Sequence, residues 1–102
     1  MKVCLVYVGI GVSGFHLNRE RGDREGFWIS HGMASVGASA EAAGYGVVGV
    51  DLRQLSGFDE FETIVRDINA PVYGISVPMV DQYPALMTAY LIKKNNPNSI
   101  VI

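Results

Sequence analysis

The sequence predicts an open α/β fold in three layers, with helices on both sides of a mostly parallel sheet. Four apolar runs rich in β-branched residues alternate with three helical patterns. These runs cover residues 3–8, 47–51, 72–77 and 100–102. None of them alternates strictly with polar residues, which is typical of strands that are buried on both faces.

Each helical pattern has its own start and stop signals. The first runs from Ser30, a residue suited to an N-cap, to about Ala43, where Gly44 favours a left-handed end. Its inward face is predicted to hold Met33, Val36, Gly37 and Ala40. The second covers residues 59–69, with Phe61, Ile64, Val65 and Ile68 inward and acidic residues in the first turn. The third covers residues 84–96, and Pro97 stops it.

The alternation of strands and helices predicts how the sheet is connected. Right-handed crossovers produce a doubly wound sheet, for which we expect the flavodoxin-like strand order 2-1-3-4. We expect residues 1–102 to form one domain that is a fragment of a longer chain, ending after the fourth strand. Ligands of such sheets lie at the carboxyl ends of the strands, here at segments 9–29 and 77–83.

Composition narrows the class of function. The chain has 102 residues, 49% of them apolar, and a net charge of −2 without a basic stripe. Nucleic-acid binding is therefore not expected, since it requires clustered Lys and Arg. Apolar runs are too short for a membrane span, no signal peptide is visible, and a cytoplasmic location is expected. The single cysteine, Cys4, lies in an apolar strand, where we expect a buried thiol.

The segment "VGIGVSG", residues 8–14, follows the first strand and places Gly9, Gly11 and Gly14 in the spacing of a dinucleotide-binding turn. Such a turn leads directly into a helix, whereas here the polar stretch "FHLNRERGDREGFW" follows. An acidic partner for a ribose is expected about twenty residues on, and Asp51 lies much further away. The glycines more naturally bring the backbone close to a flat ligand, or shape a loop. A dinucleotide- or flavin-binding half-domain of an oxidoreductase remains the alternative.

The connection after the first strand, residues 9–29, is unusually long. Most such loops have two to six residues. We expect residues 15–27 to be the most mobile segment of the free domain and to act as a lid at the carboxyl edge.

Three segments together resemble a known family: "MKVCLVYVG", "HGMASVGASAEAAGYGVVGVDL" and "VYGISVPMVDQYPALMTAYLIKKNNPNSIVI". They are similar to the N-terminal cobalamin-binding domain of cobalamin-dependent radical SAM enzymes. That group includes methyltransferases and the anaerobic magnesium-protoporphyrin monomethyl ester cyclase. The resemblance implies an accessory domain that holds a corrinoid, while an iron–sulfur cluster and S-adenosylmethionine would belong to a radical SAM domain of the same parent chain.

The resemblance also implies where the cofactor would bind. Ser76 in "GISVPM" corresponds to a serine near the nucleotide tail, and Pro78 replaces the family's hydrophobic residue. The cofactor-binding residues expected from the motif and from the resemblance are Gly9, Gly11, Gly14, His31, Gly32, Asp51, Ser76, Val77 and Pro78. The chain lacks the Asp-any-His motif that supplies a lower cobalt ligand, so no metal-ligating residue is assigned. No catalytic residue is assigned either, because the sequence shows no set of nucleophile, base and orienting group.

One expectation concerns association. The last strand, "SIVI", is apolar and uncharged, and a free edge of this kind favours pairing with a second copy of the chain.

Overall fold

A computed structural model describes residues 1–10, 14–15, 31–77 and 82–102, with the side chains of residues 31 and 32 left out. Its sheet has four parallel strands in the order β2-β1-β3-β4, which confirms the predicted α/β fold and topology. The strands are β1 (Lys2–Tyr7), β2 (Gly46–Asp51), β3 (Val72–Ser76) and β4 (Ile100–Val101).

In the described ranges, three helices connect these strands, at the positions that the sequence predicts to within two residues. They are α1 (His31–Ala42), α2 (Phe58–Ile68) and α3 (Gln82–Asn95), and a short 3₁₀ turn at Leu52–Gln54 follows β2. Helix α1 ends as predicted at Gly44, whose φ is +94°. The amide of Tyr45 donates to the carbonyl of Ala40 at 3.1 Å, which completes the helix end.

The two faces of the sheet are covered unequally. Paired residues in parallel strands share a face, so Leu5, Gly49 and Gly74 lie on one side and Cys4, Val48 and Tyr73 on the other. We call the first side the α1 face, because a Cβ at Gly37 of α1 would lie 3.4 Å from Leu5 Cδ1. The opposite side, the α2–α3 face, is covered by the other two helices.

The main core lies on the α2–α3 face. Its largest fully buried side chains include Tyr73, Phe61, Ile92, Val6 and Val65. The Tyr73 hydroxyl accepts hydrogen bonds from the Ala70 amide at 3.1 Å and from Asn96 Nδ2 at 2.8 Å. This buried polar group is therefore satisfied, as buried hydroxyl groups normally are.

Cys4 also belongs to this core, as predicted. The residue is 1% exposed, and desolvation by burial raises the pKa of its thiol to about 11. A thiol that stays protonated at neutral pH is a poor nucleophile.

Helix α1 departs from the predicted inward face at one position. Gly37 is buried and Met33 and Ala40 are half-buried, but Val36 is 57% exposed. Helix α1 packs on β1 and β2, and no other helix in the described ranges covers the α1 face over β3 and β4. Val36 points along this open side, which explains why helical periodicity alone placed it in the core.

Candidate functional site

The carboxyl ends of three strands bring several of the expected site residues to one edge of the sheet. Tyr7, the last residue of β1, is in register with Asp51 on one side and with Ser76 on the other. The Val8 amide donates to the Ser76 carbonyl at 3.3 Å and extends this pairing by one step. The edge where ligands of doubly wound sheets bind is therefore formed by the residues that the sequence indicated.

Position 9 can hold only glycine without a clash or backbone strain. Its φ is +52°, and a Cβ at this position would lie 2.5 Å from Tyr7 Cε1 and 3.1 Å from Arg53 Cδ. The backbone after β1 thus folds closely over Tyr7 and Arg53. The demand for glycine here comes from the protein's own side chains, whether or not a ligand also approaches.

The third glycine of the pattern behaves differently. Gly14 has a φ of +69°, and its amide donates to the Ile10 carbonyl at 3.0 Å. No heavy atom of the described residues lies within 4 Å of the position that a Cβ would take at Gly14. In a dinucleotide fingerprint the third glycine permits close packing of helix and strand, and the described residues do not show such packing at Gly14.

Asp51 and Arg53 form a buried ion pair at the same edge. The Asp51 carboxylate accepts hydrogen bonds from the Arg53 amide at 3.0 Å, from Nε at 3.0 Å and from Nη2 at 2.7 Å. The Arg53 side chain is 5% exposed, and its guanidinium carbon lies 4.6 Å from the centre of the Tyr7 ring. The hydrogen bond from Asp51 raises the pKa of Arg53 above its usual value, so the charge is permanent.

Sequence reasoning did not identify Arg53. It follows Asp51 by two residues in a polar turn, where an arginine is normally exposed. The one local signal is an aspartate positioned as the N-cap of the 3₁₀ turn, which is the role that the structure gives to Asp51.

An apolar groove of about 320 Å³ opens on the α1 face, between α1 and strands β1 and β3. Its lining includes Leu5, Met33, Val36, Gly74, Ser76 and Ile102. A Cβ at Gly74 would lie 3.0 Å from Leu5 Cδ2, so the glycine keeps this part of the groove open. Ser76 stands at the carboxyl end of β3, and its hydroxyl has no hydrogen-bond partner among the described residues.

A second groove, of about 290 Å³, lies on the other side of α1, between this helix and β2. Ala34, Gly37 and Ala38 form its helical wall. The small residues of α1 therefore have two effects. Helix α1 approaches the sheet so closely that a Cβ at Gly37 would touch Leu5 and Val47, and the narrow helix leaves open space along both flanks.

The remaining expected site residues have the following positions. Val77 follows β3 and is 46% exposed, and His31 and Gly32 form the start of α1. Gly11 and Pro78 lie outside the described residues, as does the predicted lid from residue 16 onwards. Phe15, the first residue of that lid, packs edge-to-face on Phe58 with ring centres 5.2 Å apart.

The described ranges hold neither a metal-binding cluster nor a membrane-spanning helix. No group of three or more His, Cys, Asp or Glu side chains there is placed to hold a metal ion. No helix there is long and apolar enough to cross a bilayer.

Comparison with models of known protein families, with curated proteins and with solved structures finds no match for this chain. The structure defines a flavodoxin-like α/β domain with a groove along α1 that reaches the carboxyl end of β3.

Proposed function

We propose that this chain is a corrinoid-binding module, in which cobalamin lies over the carboxyl edge of the sheet and its nucleotide tail enters the groove along α1. The observation that carries the proposal is the groove itself. It is apolar, it lies beside the switch point between β1 and β3, and Ser76, whose hydroxyl has no partner among the described residues, belongs to its lining.

The residues of the groove fit a flat, largely apolar group with a few polar atoms. Leu5, Met33 and Val36 offer apolar contact to an aromatic base, and Gly74 leaves room beside Leu5. The Ser76 hydroxyl can donate to or accept from a ring nitrogen or a ribose hydroxyl. The turn at Gly9 keeps the backbone low over Tyr7, which favours the approach of a flat ring to the edge.

In this proposal the chain binds and positions the corrinoid. The reaction itself is carried out by a radical SAM domain with its own iron–sulfur cluster and S-adenosylmethionine. A bound corrinoid would supply a cobalt centre able to carry a methyl group. The residues of this chain would hold the tail, exclude water from it and present the ring at the carboxyl edge. Cys4 is too deeply buried to take part.

The proposal is tested by titration with hydroxocobalamin, followed by absorbance and calorimetry. Val36→Trp fills the groove from α1, and we expect it to weaken binding at least tenfold. Ser39→Trp is the matched control, because Ser39 is an exposed residue of the same helix that does not line the groove. Cobinamide, a corrinoid without the nucleotide tail, should bind more weakly and should not distinguish the two variants.

Two outcomes would contradict the proposal. Saturable binding of NAD without any binding of hydroxocobalamin would assign the edge to a dinucleotide. Equal affinity of Val36→Trp and Ser39→Trp for cobalamin would remove the groove from the site.

The alternative is a dinucleotide- or flavin-binding half-domain. The tight turn at Gly9, with φ +52°, favours it, because the first glycine of a dinucleotide fingerprint has this role. The lack of close packing on Gly14 among the described residues argues against it. Calorimetric titration with NAD and with FMN, run beside the corrinoid titration, separates the two functions.

A further inference from the structure

The backbone that follows β1 rests on two stacked side chains. We call residues 8–10 the β1 turn. A Cβ at Gly9 would lie 2.5 Å from Tyr7 Cε1 and 3.1 Å from Arg53 Cδ, so the turn lies directly on these side chains. The Arg53 guanidinium carbon is 4.6 Å from the centre of the Tyr7 ring, and the Asp51 carboxylate holds the guanidinium through Nε and Nη2. The contacts therefore run from the end of β2, through Arg53 and Tyr7, to the backbone of the β1 turn.

The β1 turn lies at the switch point of the sheet. The Val8 amide donates to the Ser76 carbonyl at 3.3 Å, which ties the turn to the end of β3. A flat ligand that lies over the carboxyl edge meets this backbone, and the glycine at position 9 lets the ligand come close. The position of the β1 turn above the sheet therefore sets how closely a ring can approach the edge.

Arg53 is placed to act on a ligand indirectly. Its side chain is 5% exposed, while Tyr7 is half-buried and Gly9 is buried above it. A ligand at the carboxyl edge would touch the backbone of the β1 turn, and Arg53 would lie behind that backbone. Any influence of Arg53 on binding therefore passes through Tyr7 and the turn.

The use of an arginine at this place is informative. A buried ion pair often adds little stability compared with apolar side chains of the same volume, so stability alone does not account for Asp51 and Arg53. A guanidinium is planar, and a carboxylate that binds it at two points fixes its plane. A fixed plane against the Tyr7 ring holds that ring in one orientation, which a flexible apolar side chain would not do.

We infer that Arg53 is a positioning residue of the carboxyl edge, which fixes the Tyr7 ring and thereby the β1 turn over which the corrinoid ring lies. The inference rests on the proposed function. It assigns the two parts of the ligand to different supports: Arg53 supports the contact with the ring, and the groove along α1 holds the nucleotide tail. Substitution of Arg53 should therefore weaken the binding of a corrinoid with or without its tail.

Arg53→Lys separates positioning from stability. Lysine keeps the positive charge beside Asp51, so most of the stability should be retained, but its ammonium has no planar face to lie against Tyr7. Hydroxocobalamin and cobinamide should both bind about tenfold more weakly, the lower end of the loss seen when a residue that orients a ligand-binding group is removed. The ratio of the two affinities should stay at its wild-type value.

Two further variants complete this test. Arg53→Met should cause a similar loss for both corrinoids, because the planar support is missing whether or not the charge remains. Arg66→Lys is the matched control. Arg66 is an ion-paired arginine in the last turn of α2 that is 62% exposed, and its replacement should leave both affinities unchanged. Circular dichroism and urea unfolding verify that each variant is folded under the conditions of the titration.

Gly9→Ala tests whether the effect passes through the β1 turn. The added Cβ would overlap Tyr7 Cε1, so this substitution should displace the same backbone that Arg53 supports. Because both changes act on one turn, their effects on corrinoid affinity should not add. The double variant Gly9→Ala/Arg53→Lys should bind little more weakly than the weaker of the two single variants.

The outcomes distinguish this inference from the proposed function. Wild-type affinity of Arg53→Lys for both corrinoids would overturn the inference and leave the proposed function standing. Weaker binding of hydroxocobalamin alone would also overturn it, because Arg53 would then act on the tail. Additive effects of Gly9→Ala and Arg53→Lys would exclude a shared turn. Failure of the wild-type chain to bind either corrinoid would overturn the proposed function and, with it, the role of Arg53.

Discussion

Among the charged residues that the structure describes, Arg53 should be the most sensitive to substitution, although it lies in a short polar turn. Its guanidinium is held by the Asp51 carboxylate through hydrogen bonds of 3.0 and 2.7 Å, and it stacks on Tyr7. The side chains of the pair are 5% and 19% exposed. Replacement of Arg53 by Met keeps an unbranched apolar stem of similar shape and removes the charge.

The expected loss of stability follows from the negative charge that Asp51 retains when Arg53 is replaced. Breaking a buried ion pair by removing one partner costs about 3–5 kcal/mol, because the other charge stays buried. Asp51 is at the edge of the sheet and can recover some water, which places the loss for Arg53→Met near 3 kcal/mol. Loss of the contact with the Tyr7 ring is included in that figure, at about 1 kcal/mol.

The assay is urea unfolding of a double-mutant cycle: Arg53→Met, Asp51→Asn and the double variant. The double variant leaves no uncompensated charge, so it should be more stable than the sum of the single effects implies, with a coupling of about 2 kcal/mol. Arg66→Met is the matched control. Arg66 pairs with Glu62 at 2.7 Å but is 62% exposed, and its loss should change stability far less.

Equal destabilisation by Arg53→Met and Arg66→Met would refute the reasoning, since burial would then have no effect on the value of the pair. A coupling near zero in the cycle would also refute it. In that case Arg53 would act through packing alone.

Two further predictions concern the core on the α2–α3 face. Tyr73→Phe leaves the buried Ala70 amide and Asn96 without their shared acceptor, and should lower the free energy of unfolding by about 2 kcal/mol in urea titrations. Tyr83→Phe, at an exposed position, should have almost no effect. Cys4 has a pKa of about 11 in the folded protein against an ordinary 9.0, so unfolding releases a thiol that ionises more easily. Stability should therefore fall as pH rises from about 9 to 11. Cys4→Ala should lose this component, and an unchanged pH profile in that variant would contradict the assignment.

The strands and helices were predictable because each carries its signal locally. Strand β1 is apolar at every position from Val3 to Val6, as burial on both faces requires, and Gly44 marks the end of α1 through its left-handed conformation. Arg53 could not be predicted in this way. Its burial depends on Tyr7, which is distant in sequence and adjacent only because β1 and β2 pair in parallel.

The position of the candidate residues in the fold was predictable, and their contacts were less so. The topology places Gly9, Asp51 and Ser76 at one edge, and this followed from the strand order alone. The reason for the glycine at position 9 could not be predicted from the strand order, because the contacts that exclude a Cβ come from the side chains of Tyr7 and Arg53. The glycine pattern that suggests a ligand is thus explained at its first position by internal packing.

Because helices cover the two faces of the sheet unequally, substitutions on one face should affect mainly stability and substitutions on the other mainly binding. On the α2–α3 face, large side chains such as Phe61 and Tyr73 fill the space between helices and strands, and substitutions there should act mainly on stability. On the α1 face, a helix of small residues and the glycine at position 74 leave a groove instead. Substitutions such as Val36→Trp add volume at an exposed position of this groove, so they should act on binding while leaving the free energy of unfolding nearly unchanged. This separation allows the proposed corrinoid site to be tested by mutation without loss of the fold.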